Sequence, residues 1–127
     1  MNSKNFGIAE GRLSRDPVIR VNKDGSRKVW VNLAVRDDFV SRDGNVGCQF
    51  IDFEVFVRKD AVGNGIYDHL KKGDFVTARY TVRSNIYTRD DGASIFCKSL
   101  VIEDIHQLYD RKRAGYADSK MKEDLAG

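Results

Sequence analysis

The stretch Phe50–Lys59, FIDFEVFVRK, leaves the chain little freedom. Taken with a period of two, Ile51, Phe53, Val55 and Val57 fall on one side, and Phe50, Asp52, Glu54 and Phe56 on the other. That is the pattern of a strand with one face in a core. The core side is wholly apolar. The outer side sets two large aromatics among charges, where a solvated face would be polar throughout. Aromatics displayed on a sheet serve either a subunit contact or a flat surface for flat ligands such as nucleobases.

The same period recurs along the chain. Asn5–Leu13 alternates Phe6 and Ile8 with Gly7, Ala9 and Gly11, a strand whose small-residue face admits another backbone closely. Pro17 breaks it. Val18–Asn22 is a short extended piece, and Lys23-Asp24-Gly25-Ser26 carries the Asp-Gly signature of a hairpin turn. Lys28–Arg36 puts Val29, Val31, Leu33 and Val35 toward the core and Trp30, Asn32, Ala34 and Arg36 opposite. Asp37–Gly47 reads as a long loop bearing Phe39.

Beyond the Phe50–Lys59 strand, Asp60–Lys72 has helical spacing at Val62, Ile66 and Leu70. Asp60 is its expected N-cap and Gly73 its stop. Gly63 and Gly65 weaken this helix by about 1 kcal/mol each. Asp74–Ser84 alternates Val76, Ala78, Tyr80 and Val82 against Phe75, Thr77, Arg79, Thr81 and Arg83. Asn85–Gly92 reads as a second loop with Tyr87 near its base. Ala93–Glu103 is the last long strand, and Asp104–Leu108 closes the domain. The expected division is a folded domain over 1–109 and a flexible polar tail over 110–127. Three hairpin-linked strands, a helix and two more strands predict an all-β chain. The order is that of the OB-fold, a five-stranded Greek-key barrel with a short helix between strands 3 and 4. An SH3-like barrel and a small sandwich are the competing readings, and the helix position argues against both.

A chain of 127 residues fits one domain with a core of its own. It has no apolar run long enough to span a membrane, and its first residues lack a basic-then-apolar signal pattern, so a cytoplasmic protein is expected. The net charge of +3 permits a polyanionic partner without requiring one. Cys48 and Cys97 lie in strand-like stretches, and His69 and His106 are isolated, so neither a metal site nor a cofactor is expected. The pairs Asp37-Asp38 and Asp90-Asp91 have the chemistry to hold Mg²⁺, but both sit in turn-like segments where Asp is common. With no nucleophile–base pair and no phosphate-cradling glycine loop, the chain is expected not to be an enzyme.

With these strands placed, the chain resembles the bacterial and phage single-stranded DNA-binding protein family over roughly Asn5–Leu108. The landmarks are Gly11-Arg12-Leu13-Ser14-Arg15-Asp16-Pro17, the turn at Gly25, Asn32-Leu33-Ala34-Val35 and Phe50-Ile51-Asp52. They continue with Leu70-Lys71-Lys72-Gly73-Asp74 and end with Arg83, Tyr87 and Gly92. The resemblance implies base stacking on Phe39, Phe50, Phe56 and Tyr87, and phosphate contacts from Arg58, Lys72 and Arg83. It also implies a homo-oligomer, a tetramer, with a dimer as the alternative raised by the small residues of the first strand. The sequence ends without the acidic, Pro-Phe tip of many cellular members, which fits a phage- or mobile-element protein and leaves recruitment of replication or recombination proteins unassigned.

From the strand pattern itself, Trp30 joins the stacking candidates, with a subunit contact as its other reading. Arg12, Arg15, Arg20, Lys28, Arg36, Arg79 and Arg89 extend the basic track. Phe6 and Ile8 are assigned to the oligomer interface. Asp52 and Glu54 sit on the proposed binding face, either paired with Arg79 or Arg83 or accepting hydrogen bonds from bases. The expected function is sequence-independent binding and protection of single-stranded DNA in replication, recombination or repair. The alternative is an OB-fold interaction module of a replication or primosome complex that binds DNA weakly.

Overall fold

A computed structural model of the protein describes residues 3–60 and 65–109. The strands are β1 (Gly7–Leu13), β2 (Val18–Val21), β3 (Arg27–Val40), β4 (Val46–Val57), β5 (Phe75–Thr88) and β6 (Ser94–Tyr109), with one short helix, α1 (Ile66–His69), between β4 and β5. They form one sheet in the order β1-β5-β6-β4-β3-β2, and β1 pairs with β3 as well. That extra pairing, Arg12 opposite Ala34 and Leu13 opposite Leu33, closes the sheet on itself. The five long strands make the barrel, β2 lies outside it against β3, and α1 falls between the third and fourth long strands. This is the OB-fold that the order of elements predicts. The β4–β6 contact is parallel and is registered at a single pair, Glu54 opposite Val101.

The core is built from the alternating positions, except in β5 past the irregularity between Arg79 and Tyr80, where Thr81 is buried in place of the expected Val82. Leu13, Val29, Val31, Leu33, Phe53, Val57, Leu70, Val76, Ala78, Ile102 and Ile105 are buried together, and Ile51, Val55 and Tyr80 pack against them. Phe53 is 1% exposed, and its ring centroid lies 5.3 Å from that of Tyr80. Burying such a side chain contributes roughly 1.5–3 kcal/mol. The small face of β1 is the price of its double pairing. A Cβ on Gly11 would lie 2.3 Å from the Ala34 carbonyl oxygen, and one on Gly7 would lie 2.4 Å from Cζ of Tyr80. The small residues thus admit β3 and the Tyr80 ring.

The predicted hairpin turn is present, with Gly25 at φ +90°. The Ser26 hydroxyl donates to Asp24 Oδ1 at 2.6 Å and the Ser26 amide at 2.9 Å. These bonds, the hydroxyl's first, hold the Asp24 carboxyl below the usual carboxylate range.

Three expectations need correction. The segments read as long loops are mostly strand. β3 runs on to Val40 and β4 begins at Val46, so only Ser41–Asn45 turns, and β5 runs on to Thr88 before the turn at Arg89–Gly92. These two segments are almost wholly exposed, so they need no apolar face and show no hydrophobic period. Asp104–Leu108 belongs to β6 and does not form a separate closing piece. The helix is one turn. Gly65, not Asp60, is at its N-cap with no side-chain capping bond, and it ends at Leu70, which is extended. Gly73, at φ +93°, serves the next turn, where its N–H reaches the Leu13 carbonyl at 2.8 Å. Val62 and Gly63 of the expected helix, and the tail over 110–127, lie outside the described residues.

Candidate nucleic-acid interface

Strand register gathers the outward side chains of β1 to β4 into rows. Arg20 of β2 lies opposite Lys28 of β3, which lies opposite Phe56 of β4. Val18, Trp30 and Glu54 make the next row. Asn32 and Asp52 follow, and then Arg12, Ala34 and Phe50. Arg36 opposite Cys48 ends the series. Rows two residues apart along a strand are about 7 Å apart, which sets Phe50 and Phe56 roughly 20 Å from one another. Phe50 is 67% exposed and Phe56 59%, so two large rings stand on one face with the only Trp between them.

The charges on this face are organised around the rings. The Arg20 guanidinium lies 5.5 Å and the Lys28 ammonium 5.4 Å from the Trp30 ring centroid, within cation–π range. Lys28 also meets Glu54 at 3.5 Å, and Arg15 meets Asp52 at 3.4 Å. These two carboxylates are therefore partnered by Lys28 and Arg15, not by the Arg79 and Arg83 that sequence reasoning offered, because the register brings β3 and the β1–β2 connection beside them and not β5. Arg12 donates to the Gly73 carbonyl at 3.0 Å, and its guanidinium lies 5.3 Å over the Phe75 ring. It lines an open cleft with Ala34, Arg36, Cys48 and Phe75.

The remaining candidates lie around this face or elsewhere. Phe39 is exposed on the β3–β4 ribbon and Tyr87 on the β5–β6 ribbon. Arg83 shares a ribbon face with Tyr87, four residues along β5, and is exposed. Arg58 follows the end of β4, and Lys72 lies in the turn before β5, where its amide donates to Asp16 Oδ1 at 2.8 Å. Arg36, Arg58 and Arg83 form no ion pair among the described residues. Arg89 meets Asp91 at 3.9 Å in the β5–β6 turn.

Arg79 is placed apart from the rows. It is opposite Ile8 on the β1–β5 pair, and its guanidinium lies 4.2 Å over the ring of Phe6. Phe6, Ile8 and Arg79 thus form a cluster of their own, and Ile8 and Arg79 border a hollow that Asp104 and His106 also line.

Two residues of interest escaped the sequence reading. Lys98 lines a shallow cleft with Trp30, Phe50, Asp52 and Glu54, because β6 runs beside β4. Phe96, 77% exposed, lies opposite Ile86 on the second ribbon. Alternation continued through Ser94–Leu100 would have found both. Among the described residues no cluster of His, Cys, Asp and Glu is arranged to hold a metal ion, and no helix is long and apolar enough to cross a membrane.

No protein-family model matches the chain. Individual relatives do. A single-stranded DNA-binding protein of Oceanobacillus iheyensis is 26% identical over 112 residues, 88% of this chain and 68% of its own. Single-stranded DNA-binding protein B of Bacillus subtilis is 23% identical over 108 residues, 85% of this chain and 93% of its own. Single-stranded DNA-binding protein 2 of Listeria innocua is 30% identical over 112 residues, 88% of this chain and 69% of its own. With a closed barrel of the expected topology and relatives aligned along most of its length, the chain belongs to the single-stranded DNA-binding protein family.

Proposed function

We propose that this protein binds single-stranded DNA with little dependence on sequence and protects it during replication, recombination or repair. The observation that carries the reading is the outer face of β3 and β4, where Phe50 and Phe56 are exposed on either side of Trp30 with Arg20 and Lys28 beside it. Base faces are open only in an unpaired strand, and every base has one, so such a surface takes single strands of any sequence. Phe39 and Tyr87 extend the stacking surface along the two ribbons. Arg12, Arg15, Lys28, Arg36, Arg58, Lys72 and Arg83 supply the phosphate contacts, joined by Lys98. Arg79, stacked on Phe6, serves the subunit contact in this reading, together with Ile8. The protein acts as a non-enzymatic homo-oligomer in the cytoplasm.

The test is a fluorescence titration of labelled oligo(dT) at two salt concentrations with duplex competitor. Expected is clear preference for the single strand, with log affinity falling at about −0.7 per neutralised phosphate in log salt. A chain ending at Tyr109 should bind within tenfold of the full chain, since the binding unit is assigned to 1–109. Equal affinity for duplex and oligo(dT) would overturn the reading. Absence of oligonucleotide binding at any salt would favour a protein-docking module.

A further inference from the structure

Asp52 is in the middle of the outer face, in the row between Trp30 and Phe50. A carboxylate there repels the phosphates of any strand laid across it, so its presence asks for a reason. Its orientation is fixed. Asn32 Nδ2 donates to Asp52 Oδ1 at 2.6 Å, and Arg15 Nη2 approaches the same oxygen at 3.4 Å. Asn32 is buried, and its own Oδ1 accepts from the Ser14 hydroxyl at 2.5 Å. Turning the amide over would set its oxygen against the Asp52 carboxylate, which cannot donate, so the bond to Asp52 holds it in this orientation. Oδ2 of Asp52 has no partner among the described residues, on a side chain that is 77% exposed. Glu54, one row away, is only 27% exposed and is held by Lys28. The cleft that contains both carboxylates is walled by Trp30 and Phe50.

We propose that Asp52 is a specificity-determining residue. Its Oδ2 accepts a hydrogen bond from the exocyclic amino group of a base seated against Phe50 or Trp30. The inference rests on the single-strand reading above and adds a bias to it. An ionised carboxylate only accepts hydrogen bonds, and Asp and Glu read cytosine through its N4 amino group. Cytosine, adenine and guanine all carry such a group. Thymine and uracil offer one N–H flanked by two carbonyl oxygens, which repel a carboxylate. Stacking admits every base, and Asp52 then favours the three that carry an amino group at this one position. Arg15 offsets the charge without occupying the reading oxygen.

Oligo(dC) and oligo(dU) of equal length share a pyrimidine ring and differ only along its N3–C4 edge, an acceptor nitrogen and an amino group in one and an N–H and a carbonyl in the other, so the readout is the ratio of their affinities at fixed salt. The full chain should prefer oligo(dC) by about three- to tenfold, the worth of one hydrogen bond. Asp52→Ala should bring that ratio near unity. Asp52→Asn keeps an oxygen for Asn32 and presents an N–H donor in place of Oδ2, so the ratio should fall to unity or below. Arg15→Ala should weaken both oligonucleotides and leave the ratio in place. Tight binding of both by the full chain, with a ratio unmoved in Asp52→Ala and Asp52→Asn, would overturn the role of Asp52 while the single-strand reading stands. Binding of neither by the full chain would overturn that reading and this one with it.

Discussion

Phe53 and Phe56 are three residues apart on β4 and have opposite fates, one 1% exposed and the other 59%. Phe53→Ala should cost about 3–5 kcal/mol of stability, as truncation of a buried Phe does. Phe56→Ala should leave the melting temperature nearly unchanged and weaken oligo(dT) binding by about 1–3 kcal/mol at an unaltered salt slope. Arg58→Ala should do the converse, reducing the slope by about 0.7 with a modest loss of affinity. Melts and titrations of the three variants check this. A Phe56→Ala protein that melts like Phe53→Ala and binds normally when folded would invert the faces. This in-out alternation was legible because strand period is a local property. The partners of Asp52 and Glu54 were not, since they depend on register and on where the β1–β2 connection passes. Tyr67 gives a residue-scale test in pH. Burial first, and then the charge of Asp104, push its hydroxyl up to about 12 from the ordinary 10. The fold thus favours the neutral phenol. This contribution is complete below pH 10 and is lost as pH rises from 10 through 12, on the order of 2–3 kcal/mol. Chemical denaturation across that window should show a steeper alkaline loss for the native chain than for Tyr67→Phe.

At the scale of elements, the two ribbons matter most. The β3–β4 ribbon beyond the Arg36–Cys48 pair has every residue from Asp38 to Gly47 exposed, and none of its residues is in the core. Replacing Asp37–Gly47 with a two-residue Asn-Gly turn joins two strands already in register. Calorimetry should then show a melting temperature within a few degrees of the original. Oligo(dT) affinity should fall by about 1–3 kcal/mol for the loss of Phe39 as a stacking platform, and unchanged binding would remove the ribbon from the proposed surface. The ribbons read as loops in the sequence for a physical reason. A strand announces itself by burying one face, and these bury neither. What holds them is backbone pairing reinforced by contacts such as Gln49 to Asp37 at 3.2 Å. The helix was legible as a short one between the third and fourth strands, and its described part completes one turn, from Ile66 to His69. Its bounds were not, because Ile66 and Leu70 mark only its buried side.

For the molecule as a whole, strand count and helix position sufficed to give the barrel, because few topologies place a helix between the third and fourth of five strands. How the barrel shuts was less visible. The small face of β1 suggested a close neighbour, but nothing local said that the neighbours were two strands of the same chain. That closure has a consequence in time. Gly7 pairs with Tyr80 and Arg12 with Phe75, across more than sixty residues of intervening chain. During synthesis β1 emerges before the strand that completes it exists, whereas β3 and β4 have each other at once. At roughly 5–20 residues per second, β1 waits for seconds with Phe6 and Ile8 beside an unsatisfied edge. The glycines that let it lie so close to Ala34 and Tyr80 also keep that waiting segment poor in apolar surface, and so less inclined to seize the wrong partner before its own arrives.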